Sequence, residues 1–349
     1  MDIKDIIKEL KDYDGPKIKL MEVCGTHTAS IFKGGIRSLI SDKIRLISGP
    51  GCPVCVTPTA YIDKCLYYAA AKNHVLLTFG DMMKVPGSHG SLSQIKGEGA
   101  RVELMYSPAE VIDKAKANPY VTYVIAAVGC ETTVPMYALV IEEAKALGLK
   151  NIRLLTALKT IIPPLAWICS TEPDIDGFIC PGHVSVIVGS QVYEALAAKY
   201  HKPFVVAGFD AEHILAVIYD IQHQLSGNES QVHNLYGNVV RTEGNLRAQA
   251  IIKKYFEPGP AMWRGLGIIE DSGLYLKPEY AEFDGGSRGL DQDVELAECC
   301  GCGDVIVGRI NPDECAMFGE HCTPENPYGP CMVSSEGACG IWYRNRGSL

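Results

Sequence analysis

Residues 44–70 read IRLISGPGCPVCVTPTAYIDKCLYYAA. A short, β-branched apolar run leads into a Gly- and Pro-rich loop with two cysteines two residues apart, and a helical pattern follows. Short apolar runs bounded by turn residues are typical of strands buried on both faces of a parallel sheet. Thr57 is a good helix cap and Pro58 suits a first helical position, so the spacing predicts a helix starting there. The stretch therefore reads as one strand–loop–helix unit, with both thiols placed just before a helix N-terminus. The positive end of the helix dipole and its free N–H groups favour thiolate at such a place. A plain tight turn needs the glycine and prolines but not two cysteines, so Cys52 and Cys55 are candidate redox or metal-binding groups.

The same grammar recurs in IKLMEVCGTHTASIF (18–32), HVLLTFGDMMKVPG (74–87), YVIAAVGCETTVPMYALVIEEAKALG (123–148), GFICPGHVSVIVGSQVYEALAAKY (177–200) and PFVVAGFDAEHILAVIYDI (203–221). Strands alternating with helices predict an α/β fold. There are enough units for two similar small domains with parallel sheets flanked by helices. With a boundary near Asn118-Pro119, these are residues 1–118 and 119–255. From residue 256 the texture changes to loops, as in FEPGPAMWRGLGIIEDSGLYL, and the chain ends in a loop-rich, cysteine-rich domain, 256–349.

Hydrophobic residues make up 47% of the 349, enough for real cores, and the net charge is −9 with no basic stripe, which argues against a nucleic-acid partner. The first residues, MDIKDIIKELKDYDG, are charged throughout and place Ile3, Ile6, Ile7 and Leu10 at helical spacing. They lack a signal-peptide core, and no apolar run is long enough to span a bilayer, so the expectation is a soluble, cytoplasmic protein. No GxxxxGK[ST] phosphate loop is present.

Fourteen cysteines in such a chain point to metal binding or thiol chemistry rather than structural disulfides. Seven lie between Cys299 and Cys339. Thiolates bind soft metals, and the wide spacing of Cys302, Cys315, Cys322, Cys331 and Cys339 favours an iron–sulfur cluster over the close knuckles of structural zinc. Which four would ligate stays open on chemistry alone, because Cys299, Cys300 and Cys331 are also available. Cys24, like the Cys52/Cys55 pair, follows a strand and precedes a helix. His27 beside it reads as a ligand, a base or a helix cap, and His89 and His183 sit in Gly-flanked loops as weaker candidates for the same cleft. Cys65, Cys130, Cys169 and Cys180 read as packed thiols.

Taken together and in order, CGTHT (24–28), GPGCPVC (49–55), FGDMMKVPGS (79–88), PGHVS (181–185) and MVSSEGAC (332–339) resemble the HypD family of NiFe-hydrogenase maturation proteins. The resemblance covers nearly the whole chain. It implies a scaffold for assembling the Fe(CN)2CO group of the hydrogenase. The implied partners are a small HypC-type chaperone, with transient iron held between the two, and a HypE-type cyanide donor. It also implies two related α/β domains and a third carrying a 4Fe–4S cluster. The family's essential cysteine maps onto Cys24 and its redox pair onto Cys52 and Cys55. Its cluster pattern, Cys-x12-Cys-x6-Cys-x14-to-16-Cys, selects Cys302, Cys315, Cys322 and Cys339 and leaves Cys331 out.

Three readings of the residues compete: an assembly scaffold with redox chemistry, an iron–sulfur-dependent dithiol/disulfide oxidoreductase acting on a soluble partner, and a zinc-stapled binding protein. The first predicts that Cys24 and the Cys52/Cys55 pair emerge at one sheet edge, with thiols within about 15 Å on neighbouring strands. It also predicts Cα atoms of the pair within about 7 Å and the cluster on their side.

Overall fold

The structure, a computed structural model, describes residues 2–293 and 300–346, so Cys299 lies outside the described residues. Eleven strands occur among them: β1 (Ile18–Glu22), β2 (Ile44–Ser48), β3 (His74–Thr78), β4 (Val102–Leu104), β5 (Thr122–Gly129), β6 (Ile152–Lys159), β7 (Gly177–Pro181), β8 (Phe204–Ala207), β9 (Val232–Asn234), β10 (Phe256–Trp263) and β11 (Gly267–Leu276). They form two helix-flanked sheets, ordered β2-β1-β7-β8-β9 and β10-β11-β6-β5-β3-β4. The first is parallel throughout. The second is parallel from β6 to β4 and ends in the antiparallel β10/β11 hairpin. The loop-rich sequence after residue 256 thus begins with two real strands, whose register shifts between Gly259 and Ala261.

The division at Asn118-Pro119 does not follow the sheets. The five-stranded sheet joins β1 and β2 to β7, β8 and β9, and the six-stranded one pairs β3 and β4 with β5. Local pattern finds strands but not their neighbours, because every buried strand of a parallel sheet carries the same apolar signature.

Both sheets have a switch point. From β1 the chain runs outward to β2, and β7 later takes the opposite flank of β1; β3, β4 and β5 repeat this in the second sheet. Crevices open beyond the carboxyl ends of the strands at such points, and ligands bind there in doubly wound folds. At the β1/β7 crevice lie Cys24 and Pro181–Gly182–His183, where β7 passes directly into a helix; at the β3/β5 crevice lie Asp81 and Cys130–Glu131.

The helix after the Cys52/Cys55 loop spans Thr59–Ala70, with Pro58 at its cap position. It starts slightly later than the spacing predicts. Thr57 instead turns its hydroxyl back to donate to the Pro53 carbonyl, 2.8 Å away, and Asp293 accepts from the Thr59 N–H at 3.0 Å. The C-terminal region packs onto the first sheet. Helix Ala338–Asn345 sets Trp342 edge-on against Phe32, at 5.0 Å between ring centroids, and the Arg37 guanidinium lies 4.6 Å over Trp342. No helix among the described residues is long and apolar enough to cross a membrane.

Candidate functional site

β1 and β2 pair in register from Ile18↔Ile44 to Glu22↔Ser48, so their outgoing loops leave side by side. Cys24 is the cap residue of helix Gly25–Lys33. Gly51, in the Cys52/Cys55 loop, lies so close that an added Cβ would stand 2.5 Å from the Cys24 backbone nitrogen. Glycine is what lets two backbones approach this closely. Cys52 and Cys55 form a disulfide with Cα atoms 5.3 Å apart, inside the expected limit. The Cys55 N–H donates to Cys52 Sγ at 3.2 Å.

Beneath Cys24 sits Glu22, which is 2% exposed. One carboxylate oxygen accepts the Cys24 N–H at 3.0 Å and the other accepts the Thr28 hydroxyl. Burial pushes this carboxyl up to about 7, against the hydrogen bonds it receives. The Cys24 thiol departs from the expected thiolate. Burial, and secondarily the nearby Glu336 carboxyl, push it up to about 12. Taking an ion out of water costs more here than one helix N-terminus returns.

His27 is fully buried, and its Nε2 is 3.0 Å from the Gly208 carbonyl. Burial lowers its imidazole to about 4, so it is neutral near neutral pH; its Nδ1 has no hydrogen-bond partner. His27 and His183 flank the same ring, Phe209, at 4.8 and 4.0 Å. The β1, β7 and β8 loops therefore bring both histidines together. His89 is exposed on a turn whose neighbour Ser88 binds Asp63, and it is not among the residues around either thiol cavity described below.

Two cavities adjoin these loops. One, small at about 10 Å³, is bordered by Gly25, Cys52, Cys55, Cys331 and Glu336. The other, about 20 Å³, is bordered by six thiols, Cys300, Cys302, Cys315, Cys322, Cys331 and Cys339, together with Met317, Phe318 and Met332. Cys331 borders both. Cys302 and Cys331 are buried and Cys300 and Cys315 partly so. The Cys339 N–H donates to Cys331 Sγ at 3.3 Å. Burial drives the Cys302 thiol well up, with Cys331 and Cys300 adding to it, whereas hydrogen bonding from Cys339 draws Cys331 down. No group of three or more His, Cys, Asp or Glu among the described residues forms a ready single-ion site; the thiols line a volume instead. Soft donors around an apolar-walled space fit a thiolate-bound cluster.

Sequence reasoning missed the loop at 334–336. Asp81 Oδ2 accepts from the Ser335 hydroxyl at 2.6 Å and the Ser335 N–H at 3.1 Å. Ser334 Oγ lies 3.3 Å from Cys52 Sγ. The Glu336 carbonyl presses on Gly25, where a Cβ would meet it at 2.1 Å. Both FGDMMK and SSEGAC were visible as motifs, but nothing local says that they meet. Cys65, Cys130, Cys169 and Cys180 are all buried, as packed thiols are.

The fold and site define an α/β protein with a disulfide and a helix-cap thiol at one sheet edge, beside a cavity lined by six further thiols. Comparison with known proteins is specific. The family model described as HypD, "Hydrogenase formation hypA family", matches residues 2–346. The hydrogenase maturation factor HypD of Escherichia coli is 41% identical over 334 residues, 94% of this chain and 89% of that one. That of Rhodobacter capsulatus is 41% identical over 339 residues, covering 95% and 90%. That of Azotobacter vinelandii is 40% identical over 337 residues, covering 93% and 88%. The chain belongs to the HypD family of hydrogenase maturation factors.

Proposed function

We propose that this protein is the scaffold on which the Fe(CN)2CO group of NiFe-hydrogenases is assembled, in complex with a HypC-type chaperone and with cyanide supplied by a HypE-type donor. The observation that carries the reading is the sharing of one sheet edge by Cys24 and the Cys52/Cys55 disulfide, with Cys331 bordering both the disulfide cavity and the six-thiol cavity. The iron and its cyanide and carbon monoxide ligands are cargo. Cys24 holds the iron together with a thiolate of the chaperone. Its proton is displaced by the metal, since thiolate ligation and proton release are linked. His27, neutral and beside it, is a further candidate contact for the cargo. Cys52 and Cys55 cycle between dithiol and disulfide. Closing the disulfide releases two electrons and two protons, and opening it consumes them.

The soft donor set of the six-thiol site suits a resident 4Fe–4S cluster. On the family spacing Cys302, Cys315, Cys322 and Cys339 hold it, with Cys300 and Cys331 the rivals on the same wall. Such a cluster supplies electrons one at a time when bound. The protein works in the cytoplasm on this reading.

The same placement of Cys331 favours one alternative, an iron–sulfur-dependent dithiol/disulfide oxidoreductase that acts on a soluble partner without building iron. Infrared spectroscopy of the protein co-produced with its chaperone separates the two. Cyanide and carbonyl bands with extra, non-cluster iron support the scaffold, and cluster iron alone with no such bands supports the oxidoreductase.

A further inference from the structure

We infer that Asp81 is a positioning residue for the cargo thiol Cys24, acting through a strap, residues 334–336, that it fastens over that thiol. The inference rests on the assembly role of Cys24 proposed above. Asp81 belongs to the other sheet. It sits in the turn Gly80–Met82 that follows β3, across the cleft from β1. Its Oδ2 accepts from Ser335 Oγ at 2.6 Å, Ser335 N–H at 3.1 Å and Ser334 Oγ at 3.4 Å.

The strap is held at its other points by different means. Arg344 donates to the Ser335 carbonyl at 3.1 Å. The Glu336 N–H donates to Ser334 Oγ at 3.3 Å, which closes the strap into a turn. Just beyond it, Gly337 lies against the Cys331 carbonyl, where a Cβ would approach to 2.1 Å. Held so, the strap lays the Glu336 carbonyl on Gly25, next to Cys24, and sets Ser334 against Cys52 Sγ. Glu336, Gly25, Cys52 and Cys55 border one cavity, so the strap is part of its wall.

With the strap in place Cys24 is 8% exposed. An iron atom that is also bound by a second protein needs more access than that. The strap therefore has to shift when cargo arrives, and Asp81 sets its resting position. Three hydrogen bonds to one carboxylate oxygen make a single residue the main fastening on this side, and charge-assisted bonds are the stronger kind.

The test is alkylation of Cys24 by iodoacetamide in the full-length, cluster-loaded protein, read by peptide mass spectrometry, with buried Cys65 as the internal reference. Asp81→Asn should label Cys24 about tenfold faster than the parent, as expected when a local closure is weakened. Cluster iron and the labelling of Cys65 should not change, and Asp81→Glu should return most of the protection. Equal Cys24 rates in the parent and Asp81→Asn would overturn the inference. So would Cys65 labelling that rises in step with Cys24, since that marks general loosening. Should Asp81→Asn fail to fold, Ser335→Ala removes the shortest of the three bonds and is read against the same outcomes. Labelling needs neither iron cargo nor a partner. Absent infrared bands would strike the assembly reading and leave this result standing, and equal labelling rates would do the reverse.

Discussion

Cys24, Cys52 and Cys55 hang on the ends of two hydrogen-bonded strands, each followed by a helix. Cys300, Cys302, Cys315, Cys322, Cys331 and Cys339 sit on short turns, with the five-residue helix Cys302–Ile306 and the eight-residue helix Ala338–Asn345 as the main regular elements. The first group is positioned by a scaffold that exists for other reasons: buried β1, β2 and their helices. The second gathers around a space walled by its own sulfurs. Under the proposed function, fixed geometry would suit thiols that exchange cargo and electrons, because the groups must be ready before the partner arrives. Geometry completed by a ligand would suit a resident cofactor, whose binding energy would also hold the segment together.

The sharpest break of this comparison is Cys315→Ala. If the C-terminal region depends on its cofactor, this change should abolish the brown chromophore and expose the region after residue 300 to proteolysis, while the two sheets stay folded. Iron and sulfide analysis alongside limited proteolysis checks it, and full cluster content would refute the ligand assignment. Running Cys300→Ala, Cys302→Ala and Cys331→Ala in parallel decides which of the rival thiols ligate.

Cys24→Ala is the converse. It removes a thiol from the rigid group, so fold and cluster should survive while cyanide and carbonyl infrared bands vanish from the complex with the chaperone. Bands of normal intensity would remove Cys24 from the cargo site.

The cost of the rigid scaffold should itself be measurable. Glu131 is buried at the β3/β5 crevice, with one oxygen accepting the Ile161 N–H at 2.8 Å and the other unpartnered. Burial raises its carboxyl from 4.5 to about 7. The folded state therefore holds this proton more tightly than the unfolded chain does. The resulting stability is fully present below the unfolded value and is lost as pH rises through the folded one. Glu131→Gln should remove that part of the pH dependence, roughly 3 kcal/mol between about pH 4 and about pH 8. Urea midpoints of both proteins at the two pH values give the difference, and parallel curves would contradict it.

The smallest effect belongs to a thiol of neither group. Cys180, in the middle of the five-stranded sheet and 0% exposed, packs as a small hydrophobe. Cys180→Ala should cost about 1 kcal/mol through the cavity it leaves and change neither cluster content nor infrared bands. Denaturant titration and metal analysis check both halves.

The strand–loop–helix units were legible in the sequence, because burial on both faces forces a short apolar run and a turn must follow it. The same reasoning placed Cys24 and Cys52/Cys55 in loops before helices, and the gathering of cysteines after Glu298 marked the segment whose thiols line one cavity. Three things were decided only by tertiary structure. β7, some 130 residues past β2, takes the second flank of β1, with Leu20 opposite Gly177; parallel neighbours are set by the path of the crossovers, and the apolar run of each strand is the same whoever its neighbour is. The Cys24 thiol is held protonated, because its charge state follows from how deeply the assembled chain buries it and from Glu336, far away in sequence. And Asp81, Ser335 and Cys331 acquire their neighbours across the cleft by contacts between segments some 250 residues apart, 254 for Asp81 and Ser335. No local pattern encodes such contacts, since each segment satisfies its own backbone before they meet.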